Sequence, residues 1–163
     1  MKTTGLRFDT SYGCIREITD QDIYWLAFDM IEQDKDDCRA SGYGENFLQA
    51  ILDYVFISQF VFSLEDKSGG IIGSFGIFPD EELEGVGTMW GFSTSNFFSI
   101  KSPRGASEIL SNTKRVLDFF NSIFPVVKAS CLMENKEARR RFNFGGFRMY
   151  DRTEDRALYM RTV

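Results

Sequence analysis

No histidine occurs among the 163 residues of the chain. Serine or cysteine nucleophiles paired with an imidazole base are therefore excluded, as is a His-ligated zinc site. Any catalysis would rest on carboxylates, thiols, phenols, backbone amides or a cofactor. Cysteine is scarce: Cys14, Cys38 and Cys131 are odd in number and far apart. That pattern indicates neither a disulfide framework nor a C-x-x-C metal site, so no metal is expected and the thiols read as buried groups in a reducing compartment. Long apolar runs are absent too. No stretch approaches 18 uninterrupted apolar residues, and residues 1–9 lack the apolar core of a signal peptide. The expectation is a soluble protein made inside a cell, without a membrane span. An excess of positive charge is also missing, since 19 Lys and Arg stand against 24 Asp and Glu for a formal charge of -5. A general phosphate-binding surface needs clustered cations, so nucleic acid is not expected as the main partner.

What is present is a core. With 43% hydrophobic and 15% aromatic residues, the chain can close one sizeable interior and is too short for two ordinary domains, which predicts a single domain over 1–163. Ile15 to Ile18 alternates as a strand, and Thr19-Asp20 offers an N-cap to a helix carrying Ile23, Leu26, Ala27, Met30 and Ile31. Residues 33–44 read as a polar loop, and 45–57 as a second helix. Residues 59–64 and 70–78 read as strands joined by the charged turn 65–69. Residues 87–98 follow as the longest strand, with Gly91 marking a bulge or a close backbone approach. A third helix over 106–120, a buried strand over 126–132, a fourth helix over 135–144 ended by Gly145-Gly146, and a terminal hairpin complete the chain. This mixed order, with crossover helices only in the second half, predicts an α/β sandwich around a mixed sheet with helices on both faces.

Asn135, Ala138, Phe142 and Gly146-Phe147 stand in the spacing N-x-x-A-x-x-x-F-x-x-x-G-F. This resembles the fourth helix and following turn of the GCN5-related N-acetyltransferases (GNAT), whose element order the chain also shares. The resemblance implies the GNAT acyl-CoA N-acyltransferase fold and an acetyl-CoA cofactor. It implies that the pyrophosphate would lie at the turn Ser102-Pro103-Arg104-Gly105-Ala106-Ser107, held by Arg104 and the amides of Gly105, Ala106 and Ser107, with Asn135 as a further cofactor contact. Ser102 and Ser107 depart from the family pattern, Pro103 removes an amide, and an ordinary Pro-Arg-Gly turn is the other reading. Phe142 stands where active members often carry a tyrosine acid, and residues 88–95 hold no carboxylate. Glu134 is then the nominated catalytic base, or else an exposed acid beside a helix N-terminus. Cys131 reads as an acyl-accepting thiol or a buried small residue. Asp29, Glu32, Asp34, Asp36 and Asp37 form either an acidic mouth for a cationic amine or a solvated loop. Arg139-Arg140-Arg141 read as a site for an acidic partner or an adenosine phosphate, or as a solvated face.

Gly69-Gly70, Trp90 through Ser95, the Asn135-to-Gly146 motif and Arg152-Thr153 also resemble the small internal virion proteins of T7-like phages that carry an acetyltransferase-like fold. That resemblance implies eroded acyl-transfer motifs, a virion or host-cytoplasm location, no cofactor, and virion or host proteins as partners. The alternative is an active acetyl-CoA-dependent N-acetyltransferase acting on an amine. Under the first reading Phe142 is buried against the fifth strand and third helix, and Phe92, Phe97 or Phe98 fill the acceptor cleft.

Overall fold

Thr19 opens the first helix by a reciprocal cap: its side chain accepts the Asp22 amide, while the Asp22 carboxylate accepts the Thr19 amide at 2.9 Å. The computed structural model describes residues 4–100 and 103–162, with backbone alone at 103, 104 and 106. The elements are β1 (Arg7–Asp9), β2 (Gly13–Glu17), α1 (Asp20–Asp29), α2 (Glu32–Ala40), α3 (Phe47–Ile57), β3 (Phe60–Asp66), β4 (Ile71–Pro79), β5 (Val86–Ser93), α4 (Pro103–Ile123), β6 (Val126–Leu132), α5 (Lys136–Phe144), β7 (Arg148–Arg152) and β8 (Arg156–Thr162). Asn46 caps α3 and Asn135 caps α5, each by accepting an amide three residues on. Gly146, at φ +83°, ends α5 in the left-handed conformation that a residue without Cβ adopts freely.

The strands form one sheet in the order β1-β2-β3-β4-β5-β6-β8-β7. Every pairing is antiparallel except β5 with β6. Alternation along β3 sends Phe60, Phe62 and Leu64 to one core with α4 and α5, where Phe120 and Phe147 lie. Val61 points the other way, into a second core with α1, α2 and α3 that also holds Trp90 and Phe92. The fold is therefore the α/β mixed sheet, helices on both faces, that the element order predicts.

Three expectations change. Residues 32–40 are helix α2 rather than loop. Its buried positions are Asp34 and Cys38, so an apolar stripe is missing and only the turn-by-turn ion pairs of Lys35 with Glu32 and Arg39 with Asp36 mark it as helical. The strand expected to run to residue 98 stops at Ser93, because Thr94 caps a 3-10 turn over Ser95–Ser99; β4, not β5, is the longest strand. A first strand at Arg7–Asp9 was not marked by any pattern. Gly91 keeps the register, and a Cβ there would stand 3.3 Å from Phe75 Cβ, which makes it a close approach rather than a bulge.

Candidate functional site

The parallel pair β5/β6 holds for three residues on each strand, Val86–Thr88 against Val126–Lys128, and then the strands diverge. A split between diverging strands frees backbone amides and carbonyls, which must find other partners. Here helix α2 supplies them. Asp34 Oδ2 accepts the Ser93 amide at the end of β5 at 2.7 Å, and Asp37 Oδ1 accepts the Leu132 amide at the end of β6 at 2.7 Å. The Ser93 carbonyl accepts the Ile31 amide at 2.9 Å. Two carboxylates three residues apart on one helix thus bolt the mouth of the split.

Helix α5 completes the closure. Arg141 donates to Asp34 Oδ1 at 2.8 Å and also to the Ser93 hydroxyl. Asn135 caps α5 through its Oδ1 and uses its Nδ2 on Asp34 at 3.2 Å, Asp37 at 2.6 Å and the Gln33 carbonyl at 3.2 Å. Asp34 is 2% exposed and Asn135 3%. Burial pushes the Asp37 carboxyl up from its ordinary range, against the opposing pull of Asn135, the Leu132 amide and Arg156.

Two cavities flank the split. The first, about 120 Å³, lies on the α4/α5 side among Ile72, Phe75, Phe97, Ile109 and Phe147, with Ser93 and Arg141 as its polar edge. The second, about 110 Å³, lies on the α1–α3 side among Asp34, Asp37, Cys38, Tyr54, Cys131 and Arg156. Met89, Gly91, Phe92, Ala138 and Phe142 line both. Each is well below the roughly 300–1,000 Å³ of ordinary small-molecule clefts. Burial drives the Cys38 and Cys131 thiols up to about 12, which disfavours the nucleophilic thiolate at neutral pH; Cys131 is a buried small residue.

Of the sequence-predicted site residues, Glu134, Asn135, Gly105 and Ser107 lie among the described residues. Glu134 is exposed in the turn after β6 and lines neither cavity, because the inward position beside it is taken by Asn135. The nominated cofactor turn begins α4, and Ser102 and the side chains of Arg104 and Ala106 lie outside the described residues. Gly105 is buried under Tyr12 at the β1/β2 hairpin tip, where an added Cβ would stand 2.8 Å from the ring; Ser107 is exposed. Ser11 in the same tip donates its amide to Glu108 Oε2 at 2.8 Å, so a carboxylate sits one turn into α4.

Asn135 is buried, and its side chain is engaged within the protein by the Ala138 amide, Asp34, Asp37 and the Gln33 carbonyl. The Arg139–Arg141 run is divided: Arg141 turns inward, Arg139 donates to the Met133 carbonyl, and only Arg140 is exposed, beside Glu137. Of the five acids expected as one mouth, Asp34 and Asp37 are structural and Asp29 accepts the Ser95 amide and hydroxyl. Glu32 and Asp36 pair with Arg39.

Phe142 differs from expectation in a way that makes a prediction. It is half-buried rather than buried, packs on Phe147 and on Tyr159 of β8 at 5.5 and 5.1 Å between centroids, and looks into both cavities. Phe92 and Phe97 line the first cavity as aromatic filling, whereas Phe98 is 56% exposed and fills nothing. Phe142→Tyr places its hydroxyl beside open space and should change folding stability by less than about 1 kcal/mol in urea titrations. A loss of about 1–3 kcal/mol would mean that the hydroxyl is sealed without a partner.

Among the described residues no helix is long and apolar enough to cross a membrane, and no group of three His, Cys, Asp or Glu could hold a metal ion. No protein-family model matches the chain, and no curated protein does. Solved structures do. The ribosomal-protein-S5-alanine acetyltransferase of Vibrio fischeri superposes with a TM-score of 0.64 at 14% identity, over 96% of each chain. A GNAT-family acetyltransferase of Bacillus anthracis gives 0.66 at 11% identity, over 96% of this chain and 98% of its own. The ribosomal-protein-alanine N-acetyltransferase of Brucella melitensis gives 0.62 at 15% identity, over 91% and 99%. The chain has the fold of the GCN5-related N-acetyltransferases.

Proposed function

We propose that residues 1–163 form one acetyltransferase-fold domain whose acyl-transfer site is lost, and that it works through its outer surfaces as a virion-associated or host-interaction component. The virion part of this reading rests on the sequence resemblance to internal virion proteins of T7-like phages. The loss of the site rests on one observation above all: the mouth of the β5/β6 split is bolted by Asp34 and Asp37. A thioester arm entering there would have to displace a buried carboxylate ion-paired to Arg141 and would find the strand-end amides already taken.

Acetyl-CoA does not fit the remaining residues either. Its pyrophosphate would meet a first turn of α4 overlain by Tyr12 and carrying Glu108 nearby. The acid position holds Phe142, which has no proton to give, and Glu134 stands away from both cavities. A second reading, an active acetyl-CoA-dependent N-acetyltransferase, draws on the fold likeness and on the two cavities meeting at Phe142.

Calorimetric titration with acetyl-CoA separates the two. The expected result is no saturable heat, hence no affinity tighter than about 1 mM. Micromolar binding abolished by Ser107→Glu, an exposed position where a new carboxylate would face the pyrophosphate without disturbing the fold, would overturn the proposal.

A further inference from the structure

Helices α1 and α3 lie side by side over the second core, with Ile23, Leu26, Ala50 and Ile51 facing the sheet. Their outward faces are also apolar. Phe28 is 83% exposed and Phe56 86%, joined by Tyr24, Trp25 and Leu52, and the Trp25 and Phe28 rings are 6.3 Å apart. Together these five side chains present on the order of 600 Å² of apolar surface, taking about 200 Å² for each fully exposed ring. That is at the upper end of what a monomer leaves open and close to the roughly 800 Å² that each side of a stable interface buries. Tryptophan and tyrosine are also the residues that anchor interfaces most often.

The charge around this face selects its occupant. Neither helix contains a Lys or Arg. The charged residues of the two helices are Asp20, Asp22, Asp29 and Asp53; Asp22 is buried against Arg16, which leaves Asp20, Asp29 and Asp53 as the acids of this face. Lys35 and Arg39 of α2 sit at the N-terminal end of α3, over the Phe47 ring, and are neutralised by Glu32, Asp36 and Glu45. A second copy docked face to face would set like charges opposite each other, and an anionic lipid surface would be repelled. We infer that the α1/α3 face is a docking surface for a basic amphipathic helix, whose apolar side chains seat on Trp25, Phe28 and Phe56 while its Lys or Arg residues meet the acidic rim. This is a helix-on-apolar-face mode of recognition, with charge setting orientation and rate.

The inference deepens the proposed function and rests on it only for the idea that surfaces, not chemistry, carry the role. Its test is separate from acetyl-CoA titration. Trp25 is the surface reporter, because the other tryptophan, Trp90, is 5% exposed. The probe is an 18-residue helical peptide with a leucine face flanked by lysines (length about five turns); the control has glutamate for every lysine. The lysine peptide should shift Trp25 emission to the blue and bind saturably, and raised salt should weaken it. The glutamate peptide should not bind. Phe28→Ser with Phe56→Ser, both at solvent-facing positions that the fold does not need, should weaken binding roughly tenfold or more.

Failure of the lysine peptide to bind, or equal binding of the glutamate peptide, would overturn the inference. So would sedimentation showing a dimer that the double serine variant dissolves, since the face would then belong to a second copy. Peptide binding alongside acetyl-CoA binding would leave this surface standing and remove only the non-enzymatic reading.

Discussion

Replacing Asp34 with alanine should lower folding stability by about 3–5 kcal/mol, the cost of breaking a buried ion pair from one side. Asp34 is 2% exposed and serves three partners at once: the Ser93 amide, Asn135 and Arg141. Alanine would leave the Arg141 guanidinium, only 24% exposed, with the Ser93 hydroxyl as its remaining strong partner, and would orphan the amide that ends β5. Asp34→Asn keeps one acceptor oxygen, so it should lose less. The double variant Asp34→Leu with Arg141→Met removes both charges and fills the space with apolar atoms, and it should recover much of the loss. Urea titrations of the parent, these three variants and the single Asp34→Leu and Arg141→Met variants measure all of this. Near-additive losses in the double variant would show that the two residues do not act as a pair, and the closure of the split would then lack its electrostatic bolt.

How much of this could be read from the residues alone depends on what kind of pattern each element carries. Helices α1 and α3 announce themselves by a 3.6-residue apolar period, and α5 by its Asn135 cap and Gly146 stop, so their positions came within two residues. The strands β3 and β4 read clearly because both of their faces are buried, which leaves a continuous aromatic and β-branched run. Helix α2 was illegible for a physical reason. Its inward side chains are carboxylates, and a buried Asp looks like a solvated one until the amides it caps are placed 59 and 95 residues away. The available signal was the spacing of Asp34, Asp37 and Cys38, which shares a helix face, but polar residues at that spacing are ordinary on a surface. The same limit divided the three consecutive arginines: only the fold decides that Arg141 turns in and Arg140 out. For the nominated base, the turn after β6 offers one inward place, and Asn135 rather than Glu134 holds it, since an amide can both cap α5 and donate to two carboxylates.

Trp90→Ala should be the other large loss, about 3–5 kcal/mol, as for buried aromatic truncations generally. Trp90 sits on β5 directly opposite Gly76, and the indole lies where a Cβ at Gly76 would be 2.7 Å from its Nε1. The missing side chain on β4 is thus the space into which the ring fits. Its N–H donates to the Ser58 hydroxyl at 2.8 Å, and Ser58 in turn donates to the Tyr54 carbonyl at the end of α3 at 2.6 Å. Tyr54 stacks on the ring at 5.6 Å between centroids, and Phe92 packs against it at 5.5 Å. Through this cluster β5 seats α3, and α3 seats α1. Trp90→Phe keeps most of the packing and removes one hydrogen bond, so it should cost less than the alanine variant; Gly76→Val would push the indole out and should resemble Trp90→Ala. Thermal and urea melts give the order. Because α1 and α3 carry the exposed Trp25, Phe28 and Phe56, loosening their seat should also weaken the lysine-peptide interaction. A Trp90→Ala protein as stable as the parent would mean that the helical layer is held by something other than this ring, and the route from β5 to the docking face would have to be abandoned.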